Sequence, residues 1–178
     1  MSVNKNKILG IDYGDFSIGL AIFDFETKFC YPYKTIFREK ANILRKSLRE
    51  IIAIIEKEKI TEVVIGYPLN MDDTEGERIE KVKTFAKMLD TKLECMCDTN
   101  RRGSPCEPGT VGATHREPEN RRGEHCEPVS IKFQDERLTT KEADEILKDR
   151  GIPKSRRKEY IDQVAAEIIL NDYVNSKS

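Results

Sequence analysis

The chain has 178 residues, 35 % of them charged, and a formal net charge of only −1 at pH 7. This length fits one domain, at roughly 100–200 residues per domain, and the charge balance excludes a protein that is basic as a whole, so any nucleic-acid binding needs a local basic surface. No apolar run approaches the roughly 18 residues of a membrane span, the first seven residues lack the apolar centre of a signal peptide, and five cysteines, an odd number, argue against a disulfide framework. We therefore expect a cytoplasmic protein that does not associate with membranes.

Three strands are predicted near the start of the chain, at Ile8–Asp12, Ile18–Asp24 and Phe29–Phe37. β-branched and aromatic residues fill these runs, and the connectors are short enough for hairpins, so the strands predict an antiparallel meander. The first strand ends in Asp12, followed by Gly14. Because a buried carboxylate without a partner is costly, Asp12 is either a turn or cap residue or a functional group.

An amphipathic helix is predicted from Ala41 to Lys59, with its apolar residues at helical spacing. Its charged face, which includes Arg45, Lys46 and Arg49, is most simply a solvated surface. Binding of nucleic acid is the alternative reading of this face.

A fourth strand, Glu62–Gly66, is nearly continuously apolar, as expected of a parallel strand covered on both faces. It leads into a loop that contains Pro68 and Asn70. A second helix follows, from about Glu75 to Asp90.

The composition changes abruptly after Glu94. The segment from Cys95 to Pro128 has no aromatic residue but four of the seven prolines, and residues 100–108 return as a direct repeat at 120–128. Such a segment cannot bury enough apolar surface to offset its ordering entropy. We predict one domain, residues 1–178, that carries a low-complexity surface insertion at about 95–128.

The insertion holds six potential zinc ligands: Cys95, Cys97, Cys106, His115, His125 and Cys126. Their spacing argues against zinc, because structural zinc sites typically separate paired cysteines by two to four residues. Cys95 and Cys97 are separated by one residue, and His125 has no counterpart in the repeat.

The regular pattern resumes with a fifth strand, Val129–Gln134, which ends in Asp135 and Glu136. Thr139 and Glu142 form a capping box, so a helix is predicted from Thr139 to about Asp149. Gly151 ends that helix, and Pro153 prevents its continuation.

The most basic point of the chain is the predicted linker after Pro153, and a final helix is predicted from about Lys158 to Val174. We expect nucleic acid to approach over four side chains of this stretch: Lys154, Arg156, Arg157 and Lys158. In the final helix, Asp162 shares a face with Ala165 and Ala166. That small, apolar face must pack inward, which favours a functional role for Asp162 over a solvated one.

The acidic residues converge if strands one, four and five are parallel neighbours. The carboxyl ends of those strands then share one edge of the sheet, where open α/β sheets collect ligands. Carboxylates gathered at one edge repel each other unless a divalent cation is bound. Hard carboxylate oxygens suit Mg²⁺ or Mn²⁺ better than zinc.

Four motifs, in this order, make the chain resemble the YqgF/RuvX family of the RNase H-like superfamily, whose members are described as Holliday-junction resolvases and pre-16S rRNA nucleases. The matching segments cover nearly everything outside residues 95–128. They are residues 10–14 with 17–19, residues 66–71, residues 135–140 and residues 162–166.

The resemblance implies an RNase H-like α/β fold with a mixed five-stranded sheet, in which strand two alone runs opposite to its neighbours, flanked by helices. It also implies a metal-dependent nuclease site built from Asp12, the Asp135–Glu136 pair and Asp162. Adjacent strand residues face opposite sides, so one member of the pair is expected to bind metal, with a slight preference for Glu136. Asn70 and Arg137 are implied to orient substrate phosphate or the acidic cluster.

The function implied is endonucleolytic hydrolysis in the 5′ region of pre-16S rRNA, with four-way DNA junctions as the alternative substrate. An actin-like or sugar-kinase ATPase, which also carries an Asp-x-Gly after its first strand, needs a second comparable domain that this chain has no room for. A nucleic-acid-binding or assembly protein without turnover remains open. Asp73 and Glu77 replace a glycine and a proline usual in the family and add negative charge there. The oligomeric state is open between monomer and dimer.

Overall fold

The computed structural model describes residues 7–38, 44–68, 77–102, 129–136 and 139–177. These ranges contain five strands and four helices, in the order βββαβαβαα, much as the sequence predicts. The strands are β1 (Lys7–Tyr13), β2 (Ser17–Asp24), β3 (Phe29–Phe37), β4 (Ile60–Tyr67) and β5 (Ser130–Asp135). The helices are α1 (Leu44–Glu58), α2 (Glu77–Arg102), α3 (Thr139–Asp149) and α4 (Lys154–Lys177). No helix in the described ranges combines the length and the apolar character needed to cross a membrane.

The five strands form one mixed sheet in the order β3-β2-β1-β4-β5. β2 is antiparallel to both β1 and β3, whereas β1 and β4, and β4 and β5, are parallel pairs. The predicted meander with two added parallel strands is therefore confirmed. As a consequence, the carboxyl ends of β1, β4 and β5 lie at the same edge of the sheet.

Helices α1 and α2 cover one face of the sheet. Side chains alternate between the faces along each strand, and Leu9 and Ile11 of β1 point to this side. They pack with Leu48 of α1 and Phe85 of α2, all fully buried. This layer forms the larger part of the hydrophobic core.

Helix α4 covers the opposite face. Ile8, Ala21 and Val64 point to this side and pack against Ile169 and Leu170 of α4. Helix α3 packs on the outer side of α4 and does not join this cluster. The α3–α4 contact is made by a separate group of buried apolar side chains: Ala143, Leu147, Val164, Ala165 and Ile168.

Helix α2 is longer than predicted, since it runs to Arg102 rather than ending near Asp90. Leu89 and Leu93, four residues apart, are both buried, so the inward-facing stripe continues past the predicted end. The helix enters the predicted insertion. The rest of that insertion, residues 103–128, lies outside the described residues.

Helix α4 starts at Lys154 rather than Lys158, so the predicted linker was wrong and those residues form the first turn of the helix. The backbone N–H groups of Arg156 and Arg157 donate to the Pro153 carbonyl, at 2.9 and 3.3 Å. The turn between α3 and α4 is as predicted, with Gly151 at a φ of 74°, a conformation that glycine adopts without steric cost.

Candidate active site

Asp12 lies near the end of β1, on the face of the sheet covered by α4. It shares this face with Gly10, where an added Cβ atom would lie 2.9 Å from the Ala166 carbonyl oxygen of α4. In the sheet, Asp12 is paired with Gly19 of β2. Asp12 is therefore half-buried in the layer between the sheet and α4.

Asp162 is brought to the same place because Gly19 has no side chain. A Cβ atom at Gly19 would overlap the backbone carbonyl of Asp162, so α4 rests directly on β2 at this point. Ala166, which packs against the sheet, and Ala165, which packs in the α3–α4 contact, are both fully buried. Asp162 acts electrostatically on Asp12, and the functional role predicted for Asp162 stays a prediction.

Glu136 and Asp135 diverge at the end of β5. The Glu136 N–H donates to the Tyr67 carbonyl at 3.3 Å, and the Glu136 side chain is only 8 % exposed. Its carboxylate lies against Gly66, where a Cβ atom would overlap Oε2. Asp135, in contrast, is exposed and lines a shallow pocket with Tyr67 and Phe133. Of the two neighbours, it is Glu136 that interacts with Asp12.

The electrostatics of the site favour the protonated carboxyls. Burial, together with the charge of Asp162, raises the pKa of Asp12 to about 7. Burial, together with the charges of Asp12 and Asp135, raises the pKa of Glu136 to about 8. These carboxyls are therefore held in a region where their negative charges are poorly compensated.

Arg78 is a charged residue of the site that the sequence analysis missed. It lies in the first turn of α2, and its charge lowers the pKa of both Asp12 and Glu136. A cation at a helix N-terminus opposes the helix dipole. An arginine in that position was thus a usable sign that anionic groups lie nearby.

The donor atoms suit a hard divalent cation. Asp12, Glu136 and Asp162 offer carboxylate oxygens, the ligands that Mg²⁺ and Mn²⁺ prefer, and added positive charge would relieve the repulsion that raises the pKa of Asp12 and Glu136. In this structure Asp12 interacts with Asp162 and, separately, with Glu136. Among the described residues, no group of three or more Asp, Glu, His or Cys side chains meets as a ready metal site.

Two predicted substrate-binding residues, Asn70 and Arg137, lie outside the described residues. So do four of the six Cys and His residues considered for zinc. The other two, Cys95 and Cys97, lie in α2, and of these only the side chain of Cys95 is described. Substrate binding by Asn70 and Arg137, and the absence of a zinc site, therefore stay predictions.

The four basic residues at the start of α4 do not share one environment. Arg157 donates to the Ile152 carbonyl at 2.8 Å and forms an ion pair with Asp144 at 3.4 Å, with its side chain 17 % exposed. Lys154, Arg156 and Lys158 are exposed. Arg157 thus ties α4 to α3, whereas the other three face solvent.

The chain is similar to a known protein family and to named bacterial proteins over most of its length. The model of the RuvX family, described as Holliday junction resolvase, matches residues 6–100 and 115–176. A Lachnospira eligens protein provisionally named pre-16S rRNA nuclease is 36 % identical over 171 residues, which cover 96 % of this chain and 98 % of that protein. A protein with the same name from Carboxydothermus hydrogenoformans is 36 % identical over 172 residues, which cover 97 % and 98 %. The internal break in the family match, residues 101–114, is shorter than the insertion predicted at 95–128.

A solved structure of RuvC from Thermus thermophilus covers 96 % of both chains, with a TM-score of 0.51 and 11 % sequence identity. Such low identity is informative about the fold and not about the chemistry. The RNase H-like fold predicted from the sequence is confirmed by this similarity.

Proposed function

This chain belongs to the RuvX family, and on that premise we propose that it is a metal-dependent endonuclease that hydrolyses phosphodiester bonds, with the 5′ region of pre-16S rRNA as its substrate. The observation that carries the proposal is that Asp12, near the sheet edge where β1, β4 and β5 end, interacts electrostatically with Asp162 and with Glu136. Three separate elements supply these carboxylates, and glycines on two strands make room for them. We place the enzyme in the cytoplasm, the compartment expected from its cysteine content.

Two substrates compete. The names of the similar proteins from Lachnospira eligens and Carboxydothermus hydrogenoformans support precursor rRNA, and the description of the family supports four-way DNA junctions. We favour rRNA because those proteins match this chain along nearly their whole length.

In the proposed mechanism Asp12, Glu136 and Asp162 would hold the metal. Two divalent cations, when bound, supply an activated water and stabilise the leaving 3′-oxygen. Asp12 interacts with both other carboxyls, so it is the central ligand. Arg78 lowers the pKa of Asp12 and Glu136 and so favours the ionised forms that bind cations. The close packing of Glu136 against Gly66 fixes one ligand before substrate arrives.

Exposed cations at the start of α4 are proposed to attract the substrate. Lys154, Arg156 and Lys158 precede Asp162 on the same helix by one to two turns. Phosphates bound there would lie close to the acidic site. This local surface would compensate for the overall charge near zero.

The proposal is tested by incubating labelled pre-16S rRNA and a four-way DNA junction with the protein in Mg²⁺, Mn²⁺ or EDTA. We expect rRNA cleavage that needs a divalent cation and that Asp12→Asn abolishes. Asp172→Asn, which replaces an exposed carboxylate of α4, is the matched control and should cleave normally. Cleavage of the junction alone would select the second substrate. Binding without cleavage under every condition would select the non-catalytic alternative.

A further inference from the structure

Two phenylalanine side chains are exposed where β1 turns into β2 and where β3 ends. Phe16 is 72 % exposed and Phe37 is 65 % exposed. The backbone joins them, because the Arg38 N–H donates to the Phe16 carbonyl at 2.7 Å and Ser17 pairs with Phe37. An exposed phenylalanine forgoes the favourable burial of its ring, so two of them on adjoining backbone segments suggest a ligand.

A cavity of about 250 Å³, whose lining includes Phe37, lies between the end of β3 and α1. Its walls contain three basic side chains and a single acidic one. The lining residues are Lys34, Thr35, Ile36, Phe37, Arg38, Lys46, Ser47 and Glu50. Lys34 pairs with Glu50, so the excess positive charge of the cavity resides on Arg38 and Lys46.

Arg38 is a buried cation whose contacts are all with neutral groups. It is 5 % exposed and donates to the Tyr13 hydroxyl at 3.2 Å and to the Gly14 carbonyl, with its guanidinium 4.8 Å from the Tyr13 ring centroid. Within the described part of the chain it has no carboxylate partner, and its Nε atom is buried without a hydrogen-bond acceptor. A buried charge without a counter-charge is expensive, and a bound anion would supply one.

Stacking rings beside a cationic pocket are the combination by which proteins hold single-stranded nucleic acid. We infer that the surface formed by Phe16, Phe37, Arg38 and Lys46 binds an unpaired segment of the substrate, with bases on the rings and a backbone phosphate in the cavity. The inference rests on the proposed nuclease function and specifies its substrate class.

The location suits this role. Phe16 follows Asp12 by four residues, so their Cα atoms are at most about 14 Å apart. Asp12 lies on the α4 face of the sheet, whereas Arg38 packs on Tyr13, which stacks on Phe85 of α2 on the opposite face. A strand held by this surface would cross the sheet edge at the β1–β2 turn to reach the carboxylates.

The absence of tryptophan from the chain allows a direct test. Phe16→Trp and Phe37→Trp each introduce a single fluorophore that retains the aromatic ring, and a base stacked on it should quench its emission. Phe29→Trp is the matched control, because Phe29 is 72 % exposed but lies at the opposite end of β3. Titration uses a single-stranded RNA oligonucleotide in EDTA, with fluorescence anisotropy of a labelled oligonucleotide as an independent measure of binding.

We expect quenching at positions 16 and 37, little at position 29, and weaker quenching by the same sequence in duplex form. In parallel, Lys46→Ala should lower the affinity several-fold and reduce the salt slope by about one released counterion. Arg49 is an exposed residue of the same helix but does not line the cavity. Arg49→Ala should therefore change the affinity and the salt slope less than Lys46→Ala does.

Failure of the inference is distinct from failure of the proposed function. If the RNA binds and is cleaved while both tryptophans stay unquenched, the surface is not the binding site, but the proposed nuclease function stands. Equal quenching of Phe29→Trp leads to the same conclusion. Quenching at positions 16 and 37 without cleavage in any cation would instead support the surface and refute the catalysis. No binding of single strands, with binding of junctions, would overturn the inference.

Discussion

At the scale of single residues, the site is defined by carboxyls kept in surroundings that disfavour their charge. Burial is the largest contribution to the raised pKa of both Asp12 and Glu136, and the repulsion between neighbouring acids adds to it. Arg78 opposes both effects without cancelling them. Natural proteins accept such costs chiefly at functional sites.

The first prediction concerns the pH dependence of stability without divalent cations. The pKa of Asp12 rises from 3.8 to about 7 on folding, and that of Glu136 rises from 4.5 to about 8. Above pH 4 the folded state therefore holds protons that the unfolded chain releases, so these groups stabilise the fold fully below pH 4 and lose that contribution as pH rises to about 8. Asp12→Asn should flatten this fall in the thermal midpoint between pH 5 and 8.5.

Other groups also titrate between pH 5 and 8.5, so the pH dependence of the thermal midpoint is compared between the wild type and its variants. Asp172→Asn should keep the dependence of the wild type. Added Mg²⁺ at pH 8.5 should raise the midpoint of the wild type more than that of Asp12→Asn. If the thermal midpoints of the wild type and Asp12→Asn fall in parallel with pH, the loss of stability does not come from the raised pKa of Asp12.

The second prediction concerns Arg78, whose charge lowers the pKa of Asp12 and Glu136. Arg78→Gln should raise the pKa of both carboxyls further, so metal binding and cleavage should require a higher pH than in the wild type. Arg78→Lys, which keeps the charge, should largely restore the wild-type pH profile. Lys87→Gln, at an exposed position of the same helix, is the control. A uniform loss of activity at every pH would indicate a merely structural role.

At the scale of elements, α4 organises the site because it can approach the sheet closely. Gly10 and Gly19 face α4 from two neighbouring strands, and a Cβ atom at either position would crowd its backbone. The same helix provides Asp162 and the exposed cations of its first turn. Helix placement and site geometry therefore depend on the same contacts.

The third prediction is that Gly19→Ala displaces α4 at Asp162. Overpacking of this kind costs about 1–3 kcal/mol in the free energy of unfolding, and cleavage should fall as well because a carboxylate moves. Gly151→Ala is the contrasting variant, since that glycine has open space around it but a φ of 74°. It should cost about 1–2 kcal/mol through backbone strain and leave cleavage unchanged. Both quantities are measured by urea denaturation and the rRNA assay.

The fourth prediction separates the basic residues of α4. Changing Lys154, Arg156 and Lys158 together to Ala should weaken nucleic-acid binding and flatten its salt dependence, because about one released counterion is lost with each phosphate contact. The thermal midpoint should stay close to that of the wild type, since exposed charges contribute little.

Arg157→Ala should show the opposite pattern, because its guanidinium contacts the Ile152 carbonyl and Asp144. Its thermal midpoint should fall while the salt slope changes little. An unchanged affinity and salt slope in the triple variant would remove the first turn of α4 from the binding surface and favour the surface at Lys46.

At the scale of the whole molecule, a single sheet with helices on both faces carries every described element. Most of the predicted insertion, residues 103–128, lies outside the described residues. Helix α2 accounts for residues up to Arg102, and the family match is interrupted over residues 101–114. The segment that distinguishes this chain is therefore narrower than its composition alone indicates.

The fifth prediction is that deleting residues 103–114 changes the free energy of unfolding by less than about 0.6 kcal/mol, because loop length enters closure entropy only logarithmically. Deleting residues 95–128 should cost more, since it removes about two turns of α2. Thermal melts of both variants provide the comparison. A large loss in the shorter deletion, or stoichiometric zinc in the intact protein, would show that the segment is structural.

Local chemistry was enough to predict the strands and most of the helices. Residue alternation, capping and turn signals act over a few neighbouring positions, so β3 and the start of α3 are found where the sequence predicts them. The order of the strands then brings Asp12 and Glu136 to one edge whatever the details of packing. Boundaries such as the end of α2 depend on burial by distant elements, which local patterns do not report.

Contacts between residues far apart in the sequence decided which acidic and basic side chains interact and where the cavity lies. Glu136 rather than Asp135 joins Asp12 because of how β5 ends beside Tyr67 and Gly66, and Arg157 is used structurally because α3 places Asp144 next to it. The cavity at Arg38 exists only where β3 meets α1. Each of these depends on distances between residues far apart in sequence, which periodicity and spacing along the chain do not contain.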